Sequence, residues 1–220
     1  MTSLTSSNSK NIVNALAGRS IRLVVMGASW GGLQVISSIL RQLPADFSLP
    51  ILIAQHRFRH RRGEAFLAQT LATDCQLMVI EPDDKERMRA GCVYIAPRDY
   101  HLLVECDGVL SLSSDEPVNF SRPAIDPLFE SAADVYRKEL LGIILTGANS
   151  DGARGLRSIK THGGLALVQE PTSAEAKAMP EAAIQMTAVD AVLEINQIAE
   201  LLKRLDQHRK SRHSELPSAS

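Results

Sequence analysis

Four unbroken apolar runs, Leu23-Val24-Val25-Met26, Ile51-Leu52-Ile53-Ala54, Leu141-Gly142-Ile143-Ile144-Leu145 and Leu165-Ala166-Leu167-Val168, place the tightest limit on the fold. None alternates apolar with polar residues, so each predicts a strand covered on both faces. A helical pattern follows the first run, with Leu33, Ile36, Ile39, Leu40 and Leu43 apolar and Pro44 closing it. Further helices are expected near 63–73, 125–136, 152–160, 181–186 and 197–207. Short strands are expected at Met78-Val79-Ile80, Cys92 to Pro97 and Val192-Leu193. Cys106-Asp107-Gly108 separates two strand-like runs, His101 to Glu105 and Val109 to Leu112, which is a hairpin signal. The pattern predicts an α/β fold: a doubly wound, mostly parallel sheet with helices on both faces and an antiparallel β-hairpin appendage.

Residues 1–20 read as a flexible leader with a short helix near Asn11 to Ala17, residues 21–207 as a single domain, and residues 208–220 as a disordered tail. The formal net charge of −1 supplies no global field for nucleic acid or an anionic membrane. The leader lacks the apolar centre of a signal peptide, and no run approaches the roughly 20 apolar residues that span a bilayer. Cys75, Cys92 and Cys106 are odd in number and lack C-x-x-C spacing. They predict neither a disulfide framework nor a zinc site, and suit a cytoplasmic protein.

In sheets of this kind, functional groups gather beyond the carboxyl ends of the strands. Ser29, His56 and Asp151 each follow a predicted buried strand. A serine hydroxyl becomes a nucleophile when an imidazole takes its proton and a carboxylate orients that imidazole. Gly27-Ala28-Ser29-Trp30-Gly31 also satisfies G-x-S-x-G. Two other readings of this stretch stand beside it. One is a tight strand-to-helix turn whose serine caps the helix, with His56 a hydrogen-bonded strand-end histidine and Asp151 a helix cap. The other is a dinucleotide loop, weakened because Ser29 occupies a glycine position and Gln55-His56 stands where a ribose-binding carboxylate belongs. His101 reads as structural, and His162 falls on the wrong side of the sheet for catalysis.

Taken in order, Gly27-Ala28-Ser29-x-Gly31-Gly32, Gln55-His56, Tyr94-Ile95-Ala96-Pro97 with His101, Ser121-Arg122-Pro123, Leu145-Thr146-Gly147 with Ser150-Asp151-Gly152-Ala153, Gly163-Gly164, Gln169-Glu170 and Met179-Pro180 form a specific set. The set resembles the catalytic domain of CheB-type chemoreceptor methylesterases over about residues 20–195. The resemblance implies hydrolysis of glutamate methyl esters, and deamidation of certain glutamines, on the cytoplasmic helices of methyl-accepting chemoreceptors. It assigns Ser29, His56 and Asp151 as the triad, with no metal or organic cofactor. It places Trp30, Gly31, Ala148, Asn149 and Arg122 at the oxyanion and substrate. Trp30, Arg57, Ala148-Asn149 and Ala178 depart from the family's usual Thr, Met, Met-Gly and Gly. They motivate an alternative, a signalling scaffold that keeps the fold without efficient chemistry. The family's usual receiver domain does not fit within about twenty leading residues; unless the chain is a piece of a longer protein, constitutive activity or a separate regulatory protein is expected. The basic run Arg57 to Arg62 is expected either to line a solvated loop or to steer acidic receptor helices towards the cleft.

Overall fold

A computed structural model describes residues 6–57, 67–73 and 75–214. Its centre is a seven-stranded sheet in the order β3-β4-β2-β1-β7-β8-β9, with every neighbouring pair parallel. The strands are β1 (Leu23–Ala28), β2 (Ile51–Gln55), β3 (Met78–Ile80), β4 (Cys92–Ile95), β7 (Leu140–Ile144), β8 (Leu165–Gln169) and β9 (Ala191–Leu193). All residues of β1, β2, β7 and β8 are buried, as their continuous apolar character demands. Successive side chains of β1 serve opposite cores: Val24 and Met26 pack on one face, Leu23 and Val25 on the other.

The first face is covered by α1 (Ser6–Ala17), α2 (Gly32–Leu40), α3 (Leu67–Thr73) and α7 (Ile195–Ser214). The second is covered by α4 (Ile125–Tyr136), α5 (Ala153–Thr161), α6 (Ala178–Met186) and a separate antiparallel pair, β5 (His101–Val104) and β6 (Leu110–Ser113). The hairpin turns at Asp107 and Gly108, both left-handed with φ of 60° and 73°. That is the conformation for which Asp-Gly is suited.

Two parts of the sequence reading are altered at the ends. The helix expected within the leader begins at Ser6, and Val13 is buried in the first core. The final helix runs past residue 207 to Ser214. Its extension is held because Arg209 Nη1 donates to the Ser48 carbonyl at 3.0 Å and Lys210 Nζ reaches Asp46 Oδ2 at 2.8 Å. Among the described residues no helix is long and apolar enough to cross a membrane.

The winding reverses once. From β1 the chain proceeds outward through β2 towards β4 and β3; it then returns to place β7 on the opposite side of β1 and continues to β8 and β9. The reversal lies between β2 and β7 about β1, and in sheets of this kind the ligand crevice belongs beyond the carboxyl ends of the strands at that point.

Candidate active site

Ser29 lies one residue beyond β1 and His56 one residue beyond β2, and their preceding residues Ala28 and Gln55 are register partners. The nucleophile and base candidates are thus neighbours because two parallel strands end level. Gln55 reinforces this placement: its Nε2 donates to the Ser29 carbonyl at 2.8 Å and to the His56 carbonyl at 3.0 Å. The turn after Ser29 passes through Gly31 at φ 78°, and the Ser29 amide donates to the Thr146 carbonyl at 2.9 Å. Gly147 faces Ser29 across the crevice so closely that an added Cβ there lies 3.0 Å from Ser29 Cβ.

His56 Nε2 and Asp151 Oδ2 are 2.6 Å apart, with both side chains buried. Asp151 is not the cap of the helix it precedes; that position is Gly152 at φ 87°. Its carboxylate instead accepts the first amides of α4, Ile125 N–H at 2.6 Å and Asp126 N–H at 3.2 Å, and also Gly152 N–H at 3.0 Å. Asn119 Nδ2 completes the shell at 2.9 Å from Oδ1. Burial alone pushes the Asp151 carboxyl up. The hydrogen bond and charge of His56, followed by the Ile125 and Asn119 donors, outweigh it and hold the group below the ordinary aspartate value.

The α4 and α5 termini are cross-connected. Asp126, in the first turn of α4, accepts the Gly155 N–H of α5 at 2.7 Å, while Asp151, just before α5, accepts the first amides of α4. Each carboxylate meets the positive end of the other helix. Burial pushes Asp126 above the ordinary value, and the Asp151 charge adds to that shift, against the opposing Gly155 and Arg154 contacts.

No hydrogen bond joins Ser29 Oγ to the imidazole among the described residues. Asn149 does reach the ring: its Nδ2 is 3.5 Å from His56 Nδ1, and its Oδ1 accepts the Asp151 N–H at 3.1 Å. Trp30 and Ala148 are exposed. Arg122 Nη1 donates to the carbonyls of Ser114 and Asp115 at 2.5 and 2.8 Å, strapping the entry of α4 to the strand hairpin's exit. Arg57 does not extend a basic face; its side chain is 3% exposed and its Nη2 pairs with Glu81 at 2.5 Å. The rest of the basic run lies outside the described residues. His101 is structural: Nδ1 accepts the Ala124 N–H at 3.2 Å, which leaves Nε2 to donate to the Glu116 carbonyl at 3.1 Å. Among the described residues no group of three or more His, Cys, Asp or Glu side chains could hold a metal ion.

Asn119 and Gln55 were given no role by the sequence reading. Gln55 was visible beside His56, but nothing in its type announced a brace between two carbonyls. Asn119 sits between Val118 and Phe120 in a turn whose approach to Asp151 depends on the tertiary fold.

Residues 24–202 match the family model described as CheB methylesterase. A relative from Leptospira interrogans is 50% identical over 185 residues, covering 84% of this chain and 95% of that protein. The protein-glutamate methylesterase/protein-glutamine glutaminase 2 of Anaeromyxobacter dehalogenans is 40% identical over 188 residues, and the match spans 53% of its length. The crystal structure of the Thermotoga maritima CheB methylesterase catalytic domain superposes with a TM-score of 0.78 at 33% identity, covering 84% of this chain and 99% of that one. With the parallel sheet and its crevice already in view, these matches place the chain in the CheB methylesterase family.

Proposed function

We propose that this protein hydrolyses glutamate γ-methyl esters on the cytoplasmic helices of chemoreceptors through Ser29, His56 and Asp151, and deamidates glutamine side chains by the same route. The observation that carries the reading is the buried 2.6 Å contact between His56 Nε2 and Asp151 Oδ2, level with Ser29 on the neighbouring strand. An ionised Asp151 fixes the proton on Nε2, so the lone pair on Nδ1 is the basic one. Ser29 Oγ attacks the ester carbonyl and its proton passes to Nδ1. Collapse of the tetrahedral intermediate breaks the acyl–oxygen bond, and the imidazolium returns the proton to the departing methanol. Water then attacks the acyl-enzyme, again giving a proton to Nδ1, which restores Ser29 and releases the glutamate carboxylate. For glutamine the leaving group is ammonia.

The amides of Ser29 and Gly147 are already engaged with the carbonyls of Thr146 and Ala176. In this reading the oxyanion is received by backbone amides of the turn between Ser29 and α2 and of the loop at Ala148, with the Asn149 side chain beside the base. Catalytic hydrogen bonds commonly tighten only with substrate bound, and that between Ser29 Oγ and His56 is of this kind in the present reading.

Methanol release from methylated receptor membranes tests the reading. Ser29→Ala and His56→Ala are each expected to lower the rate by about three orders of magnitude or more. Equal release by wild type and Ser29→Ala sinks the esterase reading. Absence of release from wild type, with no labelling of Ser29 by a serine-reactive phosphonate, selects the scaffold alternative.

A further inference from the structure

The exposed aromatic side chains among the described residues are Trp30, Tyr100 and Phe120. All three belong to loops at the carboxyl ends of the strands: Trp30 follows Ser29, Tyr100 follows β4, and Phe120 follows Asn119, which is 2.9 Å from Asp151. Phe120 is exceptional in two respects. Its ring is fully exposed, and its backbone is left-handed, with φ 62° beside Asn119 at φ 50°. The turn is closed by Val118 N–H to Ser121 O at 3.2 Å and Ser121 N–H to Val118 O at 2.9 Å. Asparagine tolerates such a turn; phenylalanine is disfavoured there. The folded chain therefore places a large apolar ring in water, on an unfavourable backbone, one residue from a direct support of the proposed triad. Among the described residues no packing accounts for it.

Ser29 is only 6% exposed, so an ester must enter on the tip of a side chain. If that side chain projects from a helix, the helix lies across the rim. A helix about 10–12 Å across covers the residues flanking the opening. The geometry points to Phe120 and Trp30 as a pair of substrate-binding residues that grip apolar side chains one turn to either side of the esterified glutamate. This inference rests on the activity proposed above and refines its substrate: a helix bearing apolar residues at i±3 or i±4 from the ester. Aromatic anchors of this kind dominate protein recognition because they bury much area while ordering few torsions.

The test is steady-state methanol release from a synthetic helical peptide carrying one central glutamate methyl ester with leucine at i−4 and i+4. Phe120→Asn is expected to raise KM by about tenfold or more, with kcat within about twofold of wild type. Because asparagine accepts the left-handed backbone and no packed side chain is lost, the same variant is expected to melt higher by roughly 2–4 °C. Trp30→Ser is expected to raise KM as well. A combined gain in stability and loss of affinity supports the inference, since replacing a residue with a structural role lowers stability. An unchanged KM in Phe120→Asn overturns it, as does a lowered melting temperature. Failure of wild type to act on either this peptide or receptor membranes removes the esterase reading itself and this inference with it, whereas activity on both with unchanged KM in the variant removes only the inference.

Discussion

The two nitrogens of His56 face different surroundings, and that asymmetry decides what the residue can do. Nε2 meets an aspartate held ionised by several donors, while Nδ1 lies 3.5 Å from the Asn149 amide. An Asp151→Asn replacement keeps the shape but presents an amide N–H or a neutral oxygen to Nε2. The ring is then free to carry its proton on Nδ1, where it cannot accept one from serine. The expected outcome is a fall of about four orders of magnitude in kcat for ester hydrolysis. It is measured as methanol release, with circular dichroism checking that the fold persists; a loss of tenfold or less contradicts the assigned tautomer. Gln55 acts on the same pair through the backbone, by joining the carbonyls of Ser29 and His56. Neither ring tautomer nor brace can be read from residue types alone, because both depend on which atoms the fold brings within hydrogen-bond distance.

At the scale of elements, the site depends on how closely α4 approaches the sheet and α5. An added Cβ on Gly27 of β1 stands 2.4 Å from Ile125 Cγ2, and one on Gly155 of α5 stands 2.5 Å from Phe129 Cβ and 3.2 Å from the Asp126 backbone. These absent methyl groups let the α4 terminus reach Asp151. Gly155→Ala must push α4 and α5 apart, weakening the Gly155 N–H to Asp126 contact as well as the Ile125 N–H to Asp151 contact. Overpacking of this kind costs about 1–3 kcal/mol, to be read from urea unfolding, and the catalytic rate should fall with it. Wild-type stability and rate in this variant contradict the coupling. The strands and helices themselves were legible, since uninterrupted apolar runs can only be buried twice over, and α4 spans Ile125–Tyr136 as its pattern required. Ser29, His56 and Asp151 were legible as strand-end residues. The crossed helix termini were not: Asp151 offered itself as a triad carboxylate or as a cap for α5, and neither reading points to the α4 amides it accepts.

For the molecule as a whole, the buried carboxylates Asp126 and Asp151 predict opposing limbs in stability against pH. Asp126 has its folded pKa raised, so ionising it costs stability, and that cost is relieved as pH falls from above its raised value towards about 3.9, the ordinary aspartate value. Asp151 has its folded pKa lowered, so it contributes stability that is complete above about 3.9 and is lost as pH falls through its depressed value. The two groups act in adjoining windows on either side of the ordinary value, and Asn119 links them, donating to Asp151 Oδ1 at 2.9 Å and to Asp126 Oδ2 at 3.3 Å. Burial disfavours the ionised form at both carboxylates; at Asp151 the hydrogen bond and charge of His56 and the Ile125 and Asn119 donors outweigh it, whereas at Asp126 it prevails and the Asp151 charge adds to it. Other carboxylates contribute a common background, so the comparison is between variants. Relative to wild type, Asp126→Asn should lose the component of stability gained on acidification towards about pH 4, and Asp151→Asn should lose part of the decline below it. Thermal unfolding across pH 3–7 measures both, and difference curves with the two signs exchanged contradict the assignment of which carboxylate keeps its charge.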